Sequence, residues 1–169
     1  MGRIDPQSHA QHLTPMRLTH HAPFAYRDDP AVPEFPDRAP VFFIDGDCTL
    51  CSHWARIVAR RDRTGTARLC PVQSQTGRAV LIHFGLDPDD PESWIYLADG
   101  TAWTGMEGIA RACRFLGGWL RPIGWLVMLP PEGLRNWLYL RIARNRYRVL
   151  GRTDLCALPD PAITARLIR

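Results

Sequence analysis

Two cysteines, Cys48 and Cys51, stand at Cys-x-x-Cys spacing in the stretch VFFIDGDCTLC, residues 41–51. At this spacing two thiols can close into a disulfide and reopen, so the first chemistry to consider is thiol–disulfide exchange. The thiolate is the attacking form, and what surrounds the sulfurs decides how much of it exists. Asp45 and Asp47 lie just upstream. A carboxylate beside a thiol opposes ionisation, whereas a buried Asp45 would be a proton acceptor for Cys51. The plainer reading of Asp45-Gly46-Asp47 is a turn that caps the next helix.

Both thiols need an element to aim them. Val41 to Ile44 is an unbroken β-branched and aromatic run, which reads as a buried strand. Asp-Gly-Asp ends it, and Trp54, Ile57 and Val58 then fall on one face of a helix over 49–63. The thiols therefore sit where a strand ends and a helix begins, and the free N–H groups and dipole of a helix N-terminus stabilise a thiolate there. On this reading Cys48, at the helix start, is the exposed attacking thiol and Cys51 the resolving one.

The order of elements continues as strand 67–72, helix 74–84 with Ser74 as N-cap, strand 94–98, the hairpin turn Asp99-Gly100, strand 101–103 and helix 105–116. This β-α-β-α-β-β-α succession predicts an α/β fold with a thioredoxin-like core. Further helices are expected over 119–129 and 131–150, with Leu134, Leu138, Ile142 and Val149 as the stripe that packs on the domain. A last turn or two is expected at 162–169. Residues 1–39 hold six of the 15 prolines and little periodicity, so they read as a flexible leader to a single domain over 40–169.

Composition narrows the function classes. The 169 residues include five Cys and no Lys, so all 21 basic side chains are Arg. An odd cysteine count with one close pair does not resemble a secreted disulfide framework. No basic-then-apolar signal pattern opens the chain, and no apolar run is long enough to span a bilayer. The expected setting is cytoplasmic and reducing. Arg without Lys suggests a GC-rich, bacterial source. The charge is uneven, because residues 111–169 carry 11 Arg against three acids.

Other chemistries compete for the same residues. Zinc needs four ligands, and Cys48, Cys51 and His53 or Cys70 lack a second close pair, so no metal is assigned. No cofactor is assigned either. Cys70 and Cys113 fall on apolar faces and read as buried, inert thiols. Residues 135–152 hold six Arg and no acid, with Trp137, Tyr139 and Tyr147 interleaved. That pattern suits a non-enzymatic module for an anionic partner, although nucleic acid is not the expected one. Asp45-x-Asp47-x-Thr49 after a strand also resembles the first motif of haloacid-dehalogenase-like phosphotransferases. Those need a later acidic cluster, and here Asp89-Asp90 precedes a strand in a Pro-rich loop.

Several segments point one way together. Asp45-Gly46-Asp47-Cys48-x-x-Cys51 after its strand, Pro71-Val72-Gln73-Ser74, Ala143-Arg144-Asn145-Arg146-Tyr147-Arg148 and Gly151-Arg152-x-Asp154-x-Cys156 occur in one order. In this the chain resembles the DCC family of thiol-disulfide oxidoreductases over residues 40–158. The resemblance implies a thioredoxin-like fold, exchange through Cys48 and Cys51, and a protein or low-molecular-weight thiol or disulfide as partner. It implies supporting roles for Asp45, Asp47, Gln73, Asn145, Arg146 and Arg148, and makes Cys156 a candidate third thiol. A guanidinium from 145–148 near Cys48 would offset the two Asp charges. One departure from better-known thioredoxin-like enzymes is that Ser93, not proline, precedes the strand at Trp94.

Overall fold

The computed structural model describes residues 18–90, 93–152 and 160–168. Its centre is β1 (Val41–Ile44), buried at every position. β2 (Arg68–Pro71) pairs with it in parallel, Val41 opposite Arg68 and Ile44 opposite Pro71. β3 (Ile95–Ala98) lies antiparallel on its other side, and β4 (Thr101–Trp103) closes a hairpin on β3. The sheet runs β2-β1-β3-β4. Asp99 and Gly100 both take positive φ, 49° and 72°. A two-residue turn whose twist matches the flanking strands requires this, and Gly accepts it at no steric cost.

Parallel β1 and β2 need a crossover, and α1 (Thr49–Arg61) supplies it. α1 stops where the Asp62 side chain leaves the helix path and takes the backbone N–H groups of Thr64 and Ala67. α2 (Gln75–His83) starts at Ser74, whose hydroxyl accepts from the Gly77 N–H at 3.0 Å. α3 (Gly105–Leu116), α4 (Leu120–Leu126) and α5 (Glu132–Leu150) follow the hairpin. Alternation along β1 divides the core. Phe42 and Ile44 face α1, α3 and α5, while Val41 and Phe43 face the side of α2. The result is a mixed α/β fold of thioredoxin-like type.

Three expectations change. Residues 18–39 pack onto the α2 side of the sheet instead of forming a loose leader. Tyr26 is buried, stacks on Phe35 at 5.5 Å and donates to Asp37, and Phe35 meets Phe43 edge-on. Pro-rich composition hid these aromatic anchors. Secondly, after α6 (Pro161–Thr164) the chain runs beside β2 as an extension of the sheet edge, with Leu69 bonded to Arg166 and Ile168. Arg166 also forms an ion pair with buried Asp62.

Thirdly, α5 is rotated from the expected setting. Tyr139, Ala143 and Arg146 turn inward at i, i+4 and i+7, and Leu134, Leu138, Ile142 and Val149 are exposed. The helix is apolar on more than one side, so periodicity did not choose between them. Small Ala143 allows close approach, and Arg146 reaches a buried carboxylate.

Candidate active site

The loop after β1 is built around Asp45. One carboxylate oxygen accepts the Asp47 N–H at 2.9 Å and the Gln73 amide at 2.7 Å. Gln73 in turn accepts the Gly46 N–H through its own carbonyl at 3.0 Å, so strand β2 and the turn lock each other. The second Asp45 oxygen accepts from Arg146 Nη2 at 2.6 Å, an ion pair with side chains only 4% and 6% exposed. Burial at this level demands such pairing, because an unpaired carboxylate would carry its full desolvation cost. Asp45 therefore makes the turn but does not cap α1, whose N-cap is Cys48 with no side-chain cap, and it is also the hub that ties α5 to the turn. With both oxygens engaged, Asp45 is poorly suited to phosphoryl attack.

Cys48 is the N-cap of α1, in extended conformation, and Cys51 lies in the first turn. The Cys51 thiol donates to the Cys48 sulfur, and backbone N–H groups of Cys51 and Leu50 converge on it. Together with the charge of Arg146 they outweigh burial and bring the Cys48 thiol down to about 6. The same hydrogen bond, followed by burial and the charges of Cys48 and Asp45, pushes the Cys51 thiol up, against the opposing pull of Arg146. Arg146 Nη1 donates to Cys51 Sγ at 3.7 Å. One guanidinium thus touches both the carboxylate hub and the cysteine pair.

The accessibility of the pair is the reverse of that expected. Cys48 is 0% exposed, whereas Cys51 is half-buried. Far along the chain Arg152, just past α5, forms an antiparallel backbone bridge with Cys48. Cys51 instead lines an apolar pocket of about 270 Å³, among Leu50, Trp54, Trp94, Ile142 and Arg146. Nothing in the local spacing of these side chains announced the pocket, which forms only when α1, α3 and α5 converge.

Of the residues singled out in the sequence, Asp45, Cys48, Cys51, Gln73 and Arg146 come together. Asp47 contributes its N–H, and its side chain is exposed. Asn145 bonds the Arg141 carbonyl one turn back, and Arg148 is exposed, so neither joins the cluster. Cys156, Pro91 and Glu92 lie outside the described residues. His53 is exposed, Cys70 is buried beside Ser74, and Cys113 is buried in α3.

A thioredoxin-like sheet with two coupled thiols at the end of its central strand defines a class of dithiol proteins. The chain belongs to the DCC1-like thiol-disulfide oxidoreductase family, whose model matches residues 41–152. It is 32% identical over 135 residues to the uncharacterized protein YuxK of Bacillus subtilis, covering 80% of this chain and 96% of that one. It is 28% identical over 122 residues to a chloroplastic DCC family protein of Arabidopsis thaliana, covering 72% and 71% of the two chains. No solved structure gives a significant match.

Proposed function

We propose that this protein exchanges a Cys48–Cys51 dithiol and disulfide with a protein or low-molecular-weight partner, in a reducing, cytoplasmic setting. The observation that carries the reading is the split between two neighbouring thiols, Cys48 lowered to about 6 and Cys51 raised, with Arg146 bonded to Cys51 and its charge favouring both thiolates. In the reducing direction the Cys48 thiolate attacks a partner disulfide. A mixed disulfide forms at Cys48, and one partner sulfur leaves as thiolate. Cys51 gives up its proton to that leaving thiolate or to water, then attacks Cys48. The second partner sulfur departs, Cys48 and Cys51 are oxidised, and the partner is reduced by two electrons. The Arg146 charge favours the thiolate at each stage, and Gln73 and the Asp47 N–H hold Asp45 so that Arg146 stays aimed.

Thiolate character favours Cys48 as nucleophile, while exposure favours Cys51. The thiolate decides, because a thiol one unit below its pKa reacts about ten times less than when fully ionised, and the pairing of Cys48 with Arg152 is an isolated backbone bridge outside the sheet. Alkylation of reduced protein, mapped by mass spectrometry, is expected to label Cys48 first. The rate should rise with pH through about 6 and level off well below the ordinary thiol value of 9.0. Faster labelling of Cys51, or a Cys48 rate that climbs only near pH 9, would overturn the assignment.

A further inference from the structure

The stripe on α5 that the fold leaves outside has the composition of a docking surface. Leu134, Leu138, Ile142 and Val149 form one row, with Trp137 beside it, 60% exposed. The α4 end adds exposed Trp125, Leu126 and Leu129, the last 76% exposed. So many large apolar side chains on neighbouring elements exceed the scattered exposure normal for a soluble surface. Around them the charge is mostly positive, with exposed Glu132 in the first turn of α5 as the exception. Residues 135–152 hold six Arg and no acid, and Arg121, Arg141, Arg144 and Arg148 are exposed.

We propose that this α4–α5 face lies on an anionic lipid surface. Trp side chains suit the headgroup boundary, Leu and Ile reach below it, and Arg pairs with lipid phosphates. A second copy of the chain fits poorly, because a twofold contact would set the Arg row largely against itself, with Glu132 the one acid of α5 to answer it. The protein would lie on the bilayer without crossing it; among the described residues no helix is long and apolar enough to span one. The face is also continuous with the thiol site. Leu50 and Ile142 are exposed and line the pocket that holds Cys51. Docking there presents the pocket to the lipid side.

The test uses the full chain and a binding readout independent of thiol exchange. The protein is sedimented with vesicles of phosphatidylcholine alone and with vesicles also carrying phosphatidylglycerol. Binding is expected to the mixed vesicles, weakened by added salt, and reduced at least about tenfold by Trp137→Glu or Leu138→Glu. Both positions are exposed, so the melting temperature should hold, and Arg141→Gln should weaken binding without touching the apolar row. Four results would overturn the proposal: protein left in the supernatant with both vesicle types, equal binding to phosphatidylcholine alone, a dimer that Leu138→Glu dissociates, or capture by an acidic polypeptide but not by vesicles. Loss of exchange activity with vesicle binding intact would instead count against the redox reading alone.

Discussion

Replacing Arg146 with Gln is expected to cost about 3–5 kcal/mol of stability, the usual penalty for removing one partner of a buried ion pair. The Asp45 carboxylate would keep the Gln73 amide and the Asp47 N–H but lose the buried guanidinium bonded to its second oxygen. The Cys48 thiol should move up from about 6, because a nearby positive charge that favours its thiolate is gone. Exchange at neutral pH should slow with it. The sequence left open whether an Arg in 145–148 tunes the thiol or pairs with the Asp residues to hold the fold; the buried Arg146–Asp45 pair makes a stability cost the expectation. Arg148→Gln is the control: an exposed side chain, it should change neither stability nor thiol pKa beyond the usual surface range of about 0.5 kcal/mol. Urea unfolding gives the first quantity and the pH dependence of alkylation the second. An Arg146→Gln protein with wild-type stability and a Cys48 thiol still near 6 would show that the guanidinium does neither job.

Deleting residues 1–38 is expected to lower stability by several kcal/mol. Tyr26 alone, a large buried aromatic, should cost about 3–5 kcal/mol when cut to Ala. The truncation also removes Phe35 from its contact with Phe43 and strips the backbone bonds Thr19 to Phe84 and Phe24 to Gly100. β1 would then expose Val41 and Phe43 on the side this segment covers. A falling urea midpoint for Tyr26→Ala, and a larger fall for the truncated chain, are the expected results. An unchanged midpoint in both would mean that the segment is not held on the sheet.

The parts of the fold that could be read directly were those coded by short-range physics. Val41 to Ile44 has one reasonable conformation, Asp99-Gly100 has one turn, and Ser74 has one use before a helix. The Cys48–Cys51 turn followed from the same kind of evidence. Long-range choices were less visible. The setting of α5 depends on which of several apolar sides meets the core, and a polar residue, Arg146, selects it through a carboxylate a hundred positions away. The backbone bridge at Cys48 comes from Arg152, which nothing near the cysteines announces. Likewise Tyr26 and Phe35 are isolated aromatics in a proline-rich stretch, without a period to mark them as core. Gln73 was marked only by family resemblance, and its contact with Asp45 was not legible at all, because an amide in a loop has many possible partners.

The central claim is that Cys48 and Cys51 form a working dithiol/disulfide pair. It is tested most directly by equilibrating the full-length protein across a series of glutathione redox buffers, trapping free thiols with a mass label and mapping the peptides. The account predicts one reversible transition in which Cys48 and Cys51 lose label together and share a disulfide, while Cys70 and Cys113 stay labelled only after unfolding. Cys48 and Cys51 that remain separate free thiols across the whole series, or that pair with other cysteines in place of each other, would contradict it.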